Sequence, residues 1–118
     1  MKDMNERDLD NLAGILDHCD RIEQAIERFG DSLEDYLADA DYRDVIMMNI
    51  FQIGESVNHL SDECKEAMGN IPWYSIYGIR NRIAHGYIKV EDEVVWNTAK
   101  ADIPDLKKKI VEQVGDLW

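Results

Sequence analysis

The chain has 118 residues, of which 45% are hydrophobic and 32% are charged, and its formal net charge is −12. This composition is typical of one globular domain, residues 1–118, and excludes a disordered chain. A net charge of −12 also disfavours broad nucleic-acid binding, because affinity for phosphates depends on Lys and Arg. The charge is uneven, since residues 1–70 contain 6 basic and 18 acidic residues whereas residues 71–118 contain 7 of each.

The first predicted element is a long helix over residues 6–29. Its apolar residues recur at spacings of three and four, which is the period of one helix face. They are Leu9, Leu12, Leu16, Cys19, Ile22, Ile26 and Phe29. Gly30 suits the left-handed residue that ends many helices. The pair Asp31-Ser32 can cap a short second helix over Leu33–Ala38.

A third helix is predicted from about Tyr42 to Leu60, with a broad apolar face. That face consists of Val45, Ile46, Met48, Ile50, Ile53, Val57 and Leu60. Gly54 lies in the middle of this helix, where glycine costs about 1 kcal/mol relative to alanine. Its presence therefore predicts the close approach of another helix. A further turn is expected from Ser61 to Met68.

Two more helices complete the predicted fold. Pro72 suits the first turn of a helix and Gly86 suits its end, which gives a helix over about 72–85. The last helix covers about 91–115, and Pro104 inside it predicts a kink. Its apolar stripe is Val94, Val95, Ala99, Ile103, Leu106, Ile110 and Val114. No strand alternation occurs, so the expected fold is an all-α antiparallel bundle of four longer helices plus one or two short ones.

Residues 80–87, which read RNRIAHGY, form the densest group of functional side chains. Asn81 and His85 are four residues apart and share one face of the predicted helix. Arginine can hold phosphate oxygens with its planar fork, and histidine can act as a general acid or base near neutral pH. These residue types fit metal-free cleavage of RNA by its own 2′-hydroxyl group. A twofold dimer would bring two copies of Arg80 and His85 to one cleft and supply both an acid and a base.

Simpler roles remain open for the same residues on local features alone. A single histidine near a helix end, such as His85, is more often a cap or a surface residue. Arg82 is explained by a solvated helix charge, and Tyr87 by an amphipathic residue at a rim. Glu55 has two equal interpretations, because it either orients Arg80 or is a partly exposed helix carboxylate.

Residues 80–87 also carry a resemblance to a known family. Their pattern Arg80-x4-His85-x-Tyr87 matches the motif of HepT-like toxins, which lie within the HEPN superfamily of small α-helical proteins. Other stretches are similar to that family: Ile53-Gly54-Glu55-Ser56, Ile71-Pro72-Trp73, Gly78-Ile79-Arg80-Asn81, Val94-Val95-Trp96 and Asp102-Ile103-Pro104. The similarity covers nearly the whole chain, in the family's order and at its length.

The resemblance implies a homodimeric, metal-independent endoribonuclease with Arg80 and His85 as the catalytic pair and with Asn81 and Glu55 in support. It further implies the toxin of a type VII-like HEPN/MNT toxin–antitoxin pair. The partner would be an MntA-type nucleotidyltransferase antitoxin, which in that family transfers AMP to the motif tyrosine, here Tyr87. An AMP group would add bulk and a negative charge where the RNA phosphate binds.

An alternative comes from a different functional class. The chain could be a non-catalytic helical subunit that presents Tyr87 or a groove to a nucleotidyltransferase. The strong acidity favours this alternative, because a net charge of −12 disfavours RNA. A plain dimeric interaction module is a third possibility.

The remaining polar groups are expected to be structural. His18 and His59 have no partners at metal-ligand spacing and are expected on the surface. The acids Asp17, Asp20, Glu23 and Glu27 indicate a solvated face, which a basic antitoxin could contact, rather than a metal site. Residues 107–109, three lysines, either contact RNA phosphates or complement a helix dipole. No metal or cofactor is expected. The large aromatic residues are expected to be core or interface anchors: Phe51, Trp73, Trp96 and Trp118.

The sequence predicts neither a membrane span nor a signal peptide. No run approaches 18 apolar residues, so no membrane span is predicted. The N-terminal residues lack the apolar core of a signal peptide. Cys19 and Cys64 have no metal-ligand spacing and are expected to be reduced thiols. Together these features predict a cytoplasmic protein.

Overall fold

A computed structural model of the chain describes residues 4–85 and 92–118. Within these two ranges all regular elements are helical, which confirms the predicted all-α bundle. The longer helices are α1 (Glu6–Phe29), α3 (Ala40–His59), α5 (Trp73–Ala84) and α7 (Ile103–Val114). The shorter elements are α2 (Leu33–Ala38), α4 (Asp62–Ala67), α6 (Asp92–Asn97), a π-helical turn (Thr98–Asp102) and a 3-10 turn (Gly115–Leu117). None of these described helices combines the length and apolar composition that a membrane crossing requires.

Short polar side chains fix where the helices begin. The side chains of Asn5, Ser32 and Ser61 each accept a hydrogen bond from the backbone N–H three residues further on, at 2.7, 3.1 and 3.1 Å. Such caps satisfy backbone donors that have no partner inside the helix. Gly30 ends α1 with a φ of 120°, as a glycine can, but its ψ of 142° is extended rather than left-handed helical.

Helices α1, α3 and α5 lie side by side, each antiparallel to the next. Asp8 near the start of α1 accepts hydrogen bonds from the backbone N–H and the hydroxyl of Ser61, which follows the end of α3. Further along α1, His18 contacts Asn49. On the other side of α3, Gly54 faces Arg80 of α5. Helix α3 is therefore the central element, and it brings its residues 47–58 against the end of α5.

The buried faces differ in detail from those predicted. Helix α1 buries Leu12, Ile15, Cys19, Ile22 and Ala25, whereas four residues predicted for its apolar face, Leu9, Leu16, Ile26 and Phe29, are only partly buried. A 3.6-residue period allows two neighbouring stripes to satisfy spacings of three and four, so the pattern alone does not choose between them. On α3, Met48 is 58% exposed instead of buried, because that side of α3 has no covering helix among the described residues.

The predicted last helix is divided by the π-helical turn. The backbone N–H of Ile103 bonds to the carbonyl of Thr98, five residues earlier, instead of four. This change of register occurs directly before Pro104, which has no N–H and would clash with a regular carbonyl four residues back. The kink expected at Pro104 is thus realised as a π-helical turn over Thr98–Asp102.

Aromatic side chains hold α6 against α2 and α3. The ring centroid of Trp96 lies 5.3 Å from that of Tyr36 and 6.0 Å from that of Tyr42. Trp73 is also buried, so both internal tryptophans are core residues as predicted. Trp118 is 54% exposed and does not belong to this core.

Two expectations about charged and polar residues were wrong. The lysines at 107–109 lie in the middle of α7 rather than near its end, so the helix-dipole interpretation is wrong. Lys107 instead bridges to Asp20 and Glu23 of α1, at 2.8 and 3.1 Å. His18 is half-buried rather than on the surface, and its Nδ1 lies 2.8 Å from the Asn49 side-chain oxygen. These partners come from distant parts of the chain, which periodicity does not reveal.

Candidate active site

The candidate site is built where α3 and α5 make their closest approach. A Cβ added to Gly54 would lie only 2.6 Å from Arg80 Cγ, which is shorter than non-bonded carbon atoms adopt. Glycine is therefore required at this position for the two helices to come together. The close approach predicted from Gly54 is confirmed, and it places the next residue, Glu55, beside Arg80.

The guanidinium of Arg80 is fixed from several directions. Its Nε donates to Glu55 Oε1 at 2.5 Å, and its Nη1 donates to Asn81 Oδ1 at 3.0 Å. Its Cζ lies 5.1 Å from the ring centroid of Phe51 and 5.6 Å from that of Tyr77, within the range of cation–π attraction. The Arg80 side chain is 21% exposed, so this cation is held mostly away from water.

Within residues 4–85 and 92–118, hydrogen bonds use two of the five N–H groups of the Arg80 guanidinium. The ion pair with Glu55 uses Nε, and the bond to Asn81 uses one hydrogen of Nη1. The other N–H groups are available to an anionic ligand in the planar geometry that suits phosphate oxygens. The arrangement orients Arg80 without using up its capacity to bind.

His85 follows the last residue of α5 and is tied back to the same helix. Its backbone N–H donates to the carbonyl oxygen of Asn81 at 3.1 Å, and its ring Nδ1 lies 2.8 Å from that same oxygen. A carbonyl oxygen can only accept, so Nδ1 carries a proton and donates it. In the neutral ring the lone pair is therefore on Nε2, and the side chain of His85 is exposed.

Asn81 connects the arginine and the histidine through two different atoms. Its side-chain oxygen accepts from Arg80, and its backbone oxygen accepts from His85. The spacing of four residues correctly predicted a contact between Asn81 and His85, but the contact uses the backbone oxygen of Asn81 rather than its side chain. Glu55 does contact Arg80, as the interpretation that Glu55 orients Arg80 requires. Gly86 and Tyr87 lie outside the described residues.

Phe51 and Tyr77 are site residues that sequence reasoning did not assign to Arg80. The signal was present in the spacing, since Phe51 precedes Glu55 by four residues and Tyr77 precedes Arg80 by three. Both spacings place side chains on the same helix face. Once α3 and α5 are paired at Gly54, these rings necessarily flank the guanidinium.

An open apolar groove of about 570 Å³ lies beside the arginine. It runs between α3 and the end of α5 and shares Phe51 with the Arg80 environment. Its lining consists of Asp44, Met47, Met48, Phe51, Ile83 and Ala84. An exposed apolar surface next to a charged site is typical of a region that contacts another molecule.

Three of the acidic residues of α1 form ion pairs with basic residues. Asp17 pairs with Arg21 at 3.0 Å, and Asp20 and Glu23 pair with Lys107. Over residues 4–85 and 92–118, no three or more His, Cys, Asp or Glu side chains are grouped as a metal ion requires. Part of the acidic face is therefore neutralised by internal ion pairs.

The arrangement of the described helices is that of a HEPN-like helical bundle, and comparison with known proteins specifies the family. The family description "Ribonuclease HepT-like" matches residues 15–113. The chain is 31% identical over 101 residues to a "Putative RNase" of Caldanaerobacter subterraneus subsp. tengcongensis, covering 86% of this chain and 88% of that protein. It is 31% identical over 98 residues to a "Probable ribonuclease HepT" of Thermococcus cleftensis, covering 79% and 89%.

A third relative is a "Putative RNase" of Methanocaldococcus jannaschii, 29% identical over 96 residues, with 74% of this chain and 83% of that protein covered. No solved structure matches the chain significantly. The chain belongs to the HepT-like ribonuclease family.

Proposed function

We propose that this protein is the toxin of a toxin–antitoxin pair, a metal-independent endoribonuclease that cleaves RNA with Arg80 and His85. One observation carries the proposal. In a chain that belongs to a ribonuclease family, Asn81 joins the Arg80 guanidinium, through its side-chain oxygen, to the His85 imidazole, through its backbone oxygen. Glu55 and Asn81 act as supporting residues, because they orient the Arg80 side chain.

The proposed reaction is attack by the RNA 2′-hydroxyl on the neighbouring phosphorus. A base removes the 2′-hydroxyl proton, the O2′–P bond forms, and the P–O5′ bond breaks as an acid protonates the leaving oxygen. The products are a 2′,3′-cyclic phosphate and a 5′-hydroxyl. The free N–H groups of Arg80 stabilise the charge that develops on the non-bridging phosphate oxygens. His85 Nε2 transfers a proton, as a base when neutral and as an acid when protonated.

A homodimer supplies the two proton-transfer groups that this reaction needs. Each chain contributes one His85 at the end of α5, so two chains provide a neutral and a protonated imidazole together. The apolar groove beside Arg80 supports this part of the proposal, because it adjoins the site and exposes Met48 at 58%. A twofold interface uses the same surface on both chains, so burying this groove brings both sites together.

RNA binding by this chain alone is expected to be weak. The excess negative charge lies in residues 1–70, whereas residues 71–118, which contain Arg80 and His85, are balanced. Phosphate contacts therefore depend on a few local cations, so the affinity is expected to be low and to fall with salt by a slope that corresponds to only a few contacts. Single-stranded RNA of short length is the substrate class that this charge distribution tolerates best.

The proposed partner is a minimal nucleotidyltransferase that acts as the antitoxin. In the proposed step, the Tyr87 oxygen attacks the α-phosphorus of ATP, a Tyr–O–P bond forms, and pyrophosphate leaves. The AMP so attached carries a negative phosphodiester two residues after His85, where it competes with the RNA phosphate for Arg80. The motif position of Tyr87 supports this assignment, and co-expression with the antitoxin followed by intact mass measurement tests it.

The central test is cleavage of RNA by the purified protein in EDTA, compared with Arg80→Ala and His85→Ala. We expect cleavage by the wild type, with 2′,3′-cyclic phosphate and 5′-hydroxyl ends, and a loss of about 100-fold or more in each variant. Equal cleavage by all three proteins would refute the site assignment. Loss of cleavage in EDTA would refute the metal-independent mechanism.

The alternative function is a non-catalytic subunit that binds a nucleotidyltransferase through its acidic surface. The net charge of −12 favours it, although Lys107 and Arg21 already neutralise part of the α1 acids. Expression without the antitoxin separates the two functions. Growth arrest that His85→Ala relieves supports the toxin, whereas an inert wild type supports the binding subunit.

A further inference from the structure

A second cavity lies between α5 and the C-terminal helical segment, apart from the candidate active site. Its volume is about 260 Å³, and Glu55, Arg80, Asn81 and His85 do not line it. Its apolar walls come from the first half of α5, the centre of α3 and the start of α7. They include Ile50, Ile76, Ile79, Ile103 and Leu106. The cavity is therefore a separate feature of the fold.

The π-helical turn forms part of the cavity wall opposite α5. In this turn the Ile103 N–H bonds five residues back, which inserts one extra residue into the helix. The hydroxyl of Thr98, which lines the cavity, donates to the carbonyl of Val94 at 2.9 Å and keeps acceptor capacity. Single π-helical turns of this kind occur preferentially at functional sites. The turn thus contributes the polar residues Thr98 and Asp102 to the lining of the cavity.

Two carboxylates stand at the mouth of the cavity. Asp102 ends the π-helical turn and Asp105 lies one helical turn further along, and both are exposed. Asp105 is paired with Lys109 at 3.0 Å. Asp102 makes no ion pair with any residue in the two ranges that the structure describes. Asp102 therefore offers an uncompensated negative charge beside an apolar cavity.

We propose that this cavity binds a small organic cation, an apolar group that carries an ammonium or amidinium head. The apolar part fills the space between α5 and the π-helical turn, and the cationic head pairs with Asp102 at the mouth. The volume is somewhat below the roughly 300–1,000 Å³ of sites for drug-sized ligands, so the ligand has on the order of ten non-hydrogen atoms. An RNA phosphate does not fit, because the two carboxylates repel it.

The same chemistry is available from two sources. One is a free small amine, and the other is an arginine or lysine side chain presented by a polypeptide. Both place a cation at the end of an apolar stem, so the proposal names that shared chemistry. The site is independent of the ribonuclease activity, because no residue proposed for catalysis contributes to it.

The test is a titration of the full chain, labelled with ¹³C at isoleucine methyl groups, with benzamidine and with benzamide. The two probes share one shape, but only benzamidine is charged. We expect saturable shifts at Ile79 and Ile103 with benzamidine, at a Kd on the order of millimolar, and weaker binding of benzamide. In Asp102→Asn, benzamidine binding should weaken about two- to fivefold while benzamide binding stays unchanged.

Asp10→Asn is the matched control, because it removes an equal charge from an exposed position of α1 that does not line the cavity. It should leave benzamidine binding unchanged. N-acetyl-arginine amide distinguishes the sources: tighter binding than benzamidine indicates a polypeptide side chain, and weaker binding indicates a free amine. The proposal is overturned if neither cation shifts Ile79 and Ile103 saturably, if benzamide binds as well as benzamidine, or if both Asp variants behave alike.

Discussion

Among the described residues, Arg80 and Lys107 form ion pairs between helices, and their surroundings differ in the number of carboxylates. Arg80 of α5 faces one carboxylate, Glu55 of α3, at 2.5 Å. Lys107 of α7 faces two carboxylates of α1, Asp20 at 2.8 Å and Glu23 at 3.1 Å. Both cations lie at a helix–helix contact and both are partly exposed, with side-chain exposures of 21% for Arg80 and 33% for Lys107.

The number of carboxylates around each cation indicates which cation is available to a ligand. The hydrogen bonds to Asp20 and Glu23 raise the pKa of Lys107, and they engage a single ammonium group with two negative charges. Lys107 thus serves to hold α7 against α1. Arg80 is oriented by one carboxylate, one amide and two aromatic rings, and it keeps unused N–H donors. The same type of interaction is structural in one place and prepares a binding group in the other.

The largest effect on the Arg80 region is expected from Gly54→Ala. The added methyl group overlaps the Arg80 side chain, so α3 and α5 must separate or Arg80 must move. We expect a loss of about 1–3 kcal/mol in the free energy of unfolding, measured with urea, together with most of the RNA cleavage.

Gly14→Ala in α1 is the matched control for this substitution. Its new Cβ would meet Ser56 Oγ at 3.7 Å, an ordinary contact distance. We therefore expect it to be neutral or to stabilise by about 0.5–1 kcal/mol, as Gly-to-Ala changes do inside helices. Equal destabilisation by both substitutions would show that the close approach at Gly54 is not special.

The next largest effect on cleavage is expected when arginine and lysine replace each other at positions 80 and 107. Arg80→Lys keeps the charge but loses the planar fork that bonds Glu55 and Asn81 at once, so cleavage should fall by about 10- to 100-fold with little change in stability. Lys107→Arg should leave both properties nearly unchanged. Activity assays and urea unfolding of the two variants check this, and an active Arg80→Lys enzyme would contradict the proposed role of the fork.

Glu55→Gln tests whether the carboxylate orients Arg80. Glutamine can still accept from Arg80 Nε but carries no charge, so the guanidinium is held less firmly. We expect cleavage to fall by about tenfold and the stability to fall by about 1 kcal/mol or less. The matched control is Glu63→Gln, at an exposed position of α4. Unchanged cleavage in Glu55→Gln would leave Glu55 as a simple helix carboxylate.

The smallest effect is expected from Lys107→Met, and it depends on pH. The pKa of Lys107 is raised in the folded state, so its stabilisation is fully present below the unfolded value of about 10.4 and is lost as the pH rises through the folded value. We expect Lys107→Met to lower the stability by about 0.5–1 kcal/mol at pH 7 and by progressively less as the pH rises above the unfolded value. A difference that does not change with pH would show that packing, not charge, is lost.

Helix positions and the Gly54 contact could be predicted because each depends on neighbouring residues. Caps such as Ser32 and Ser61 are recognised from their place before an apolar pattern, and a glycine inside a helix marks a close approach. The choice between apolar stripes of α1 could not be made, because Ile15 and Leu16 satisfy almost the same period. That choice depends on where α3 packs.

Contacts between residues that are distant in the chain could not be predicted from the sequence. The bridge from Lys107 to Asp20, the contact of His18 with Asn49, and the placing of Phe51 over Arg80 all require the helices to be assembled. The proline at 104 predicted a local disturbance, but not the π-helical turn that accommodates it, since a kink and a π-helical turn both relieve the same clash. Motif spacing identified the candidate residues, and only tertiary packing shows which of their atoms remain available.

The most direct test compares Arg80→Ala with Lys107→Ala in one RNA cleavage assay, in EDTA, at a temperature where both proteins are folded. Each variant removes one interhelical cation and one positive charge, and Arg80→Ala loses one ion pair whereas Lys107→Ala loses two. We predict that Arg80→Ala lowers the initial rate by about 100-fold or more, while Lys107→Ala stays within about twofold of the wild type. Equal rates for the two variants would contradict the assignment of Arg80 to catalysis.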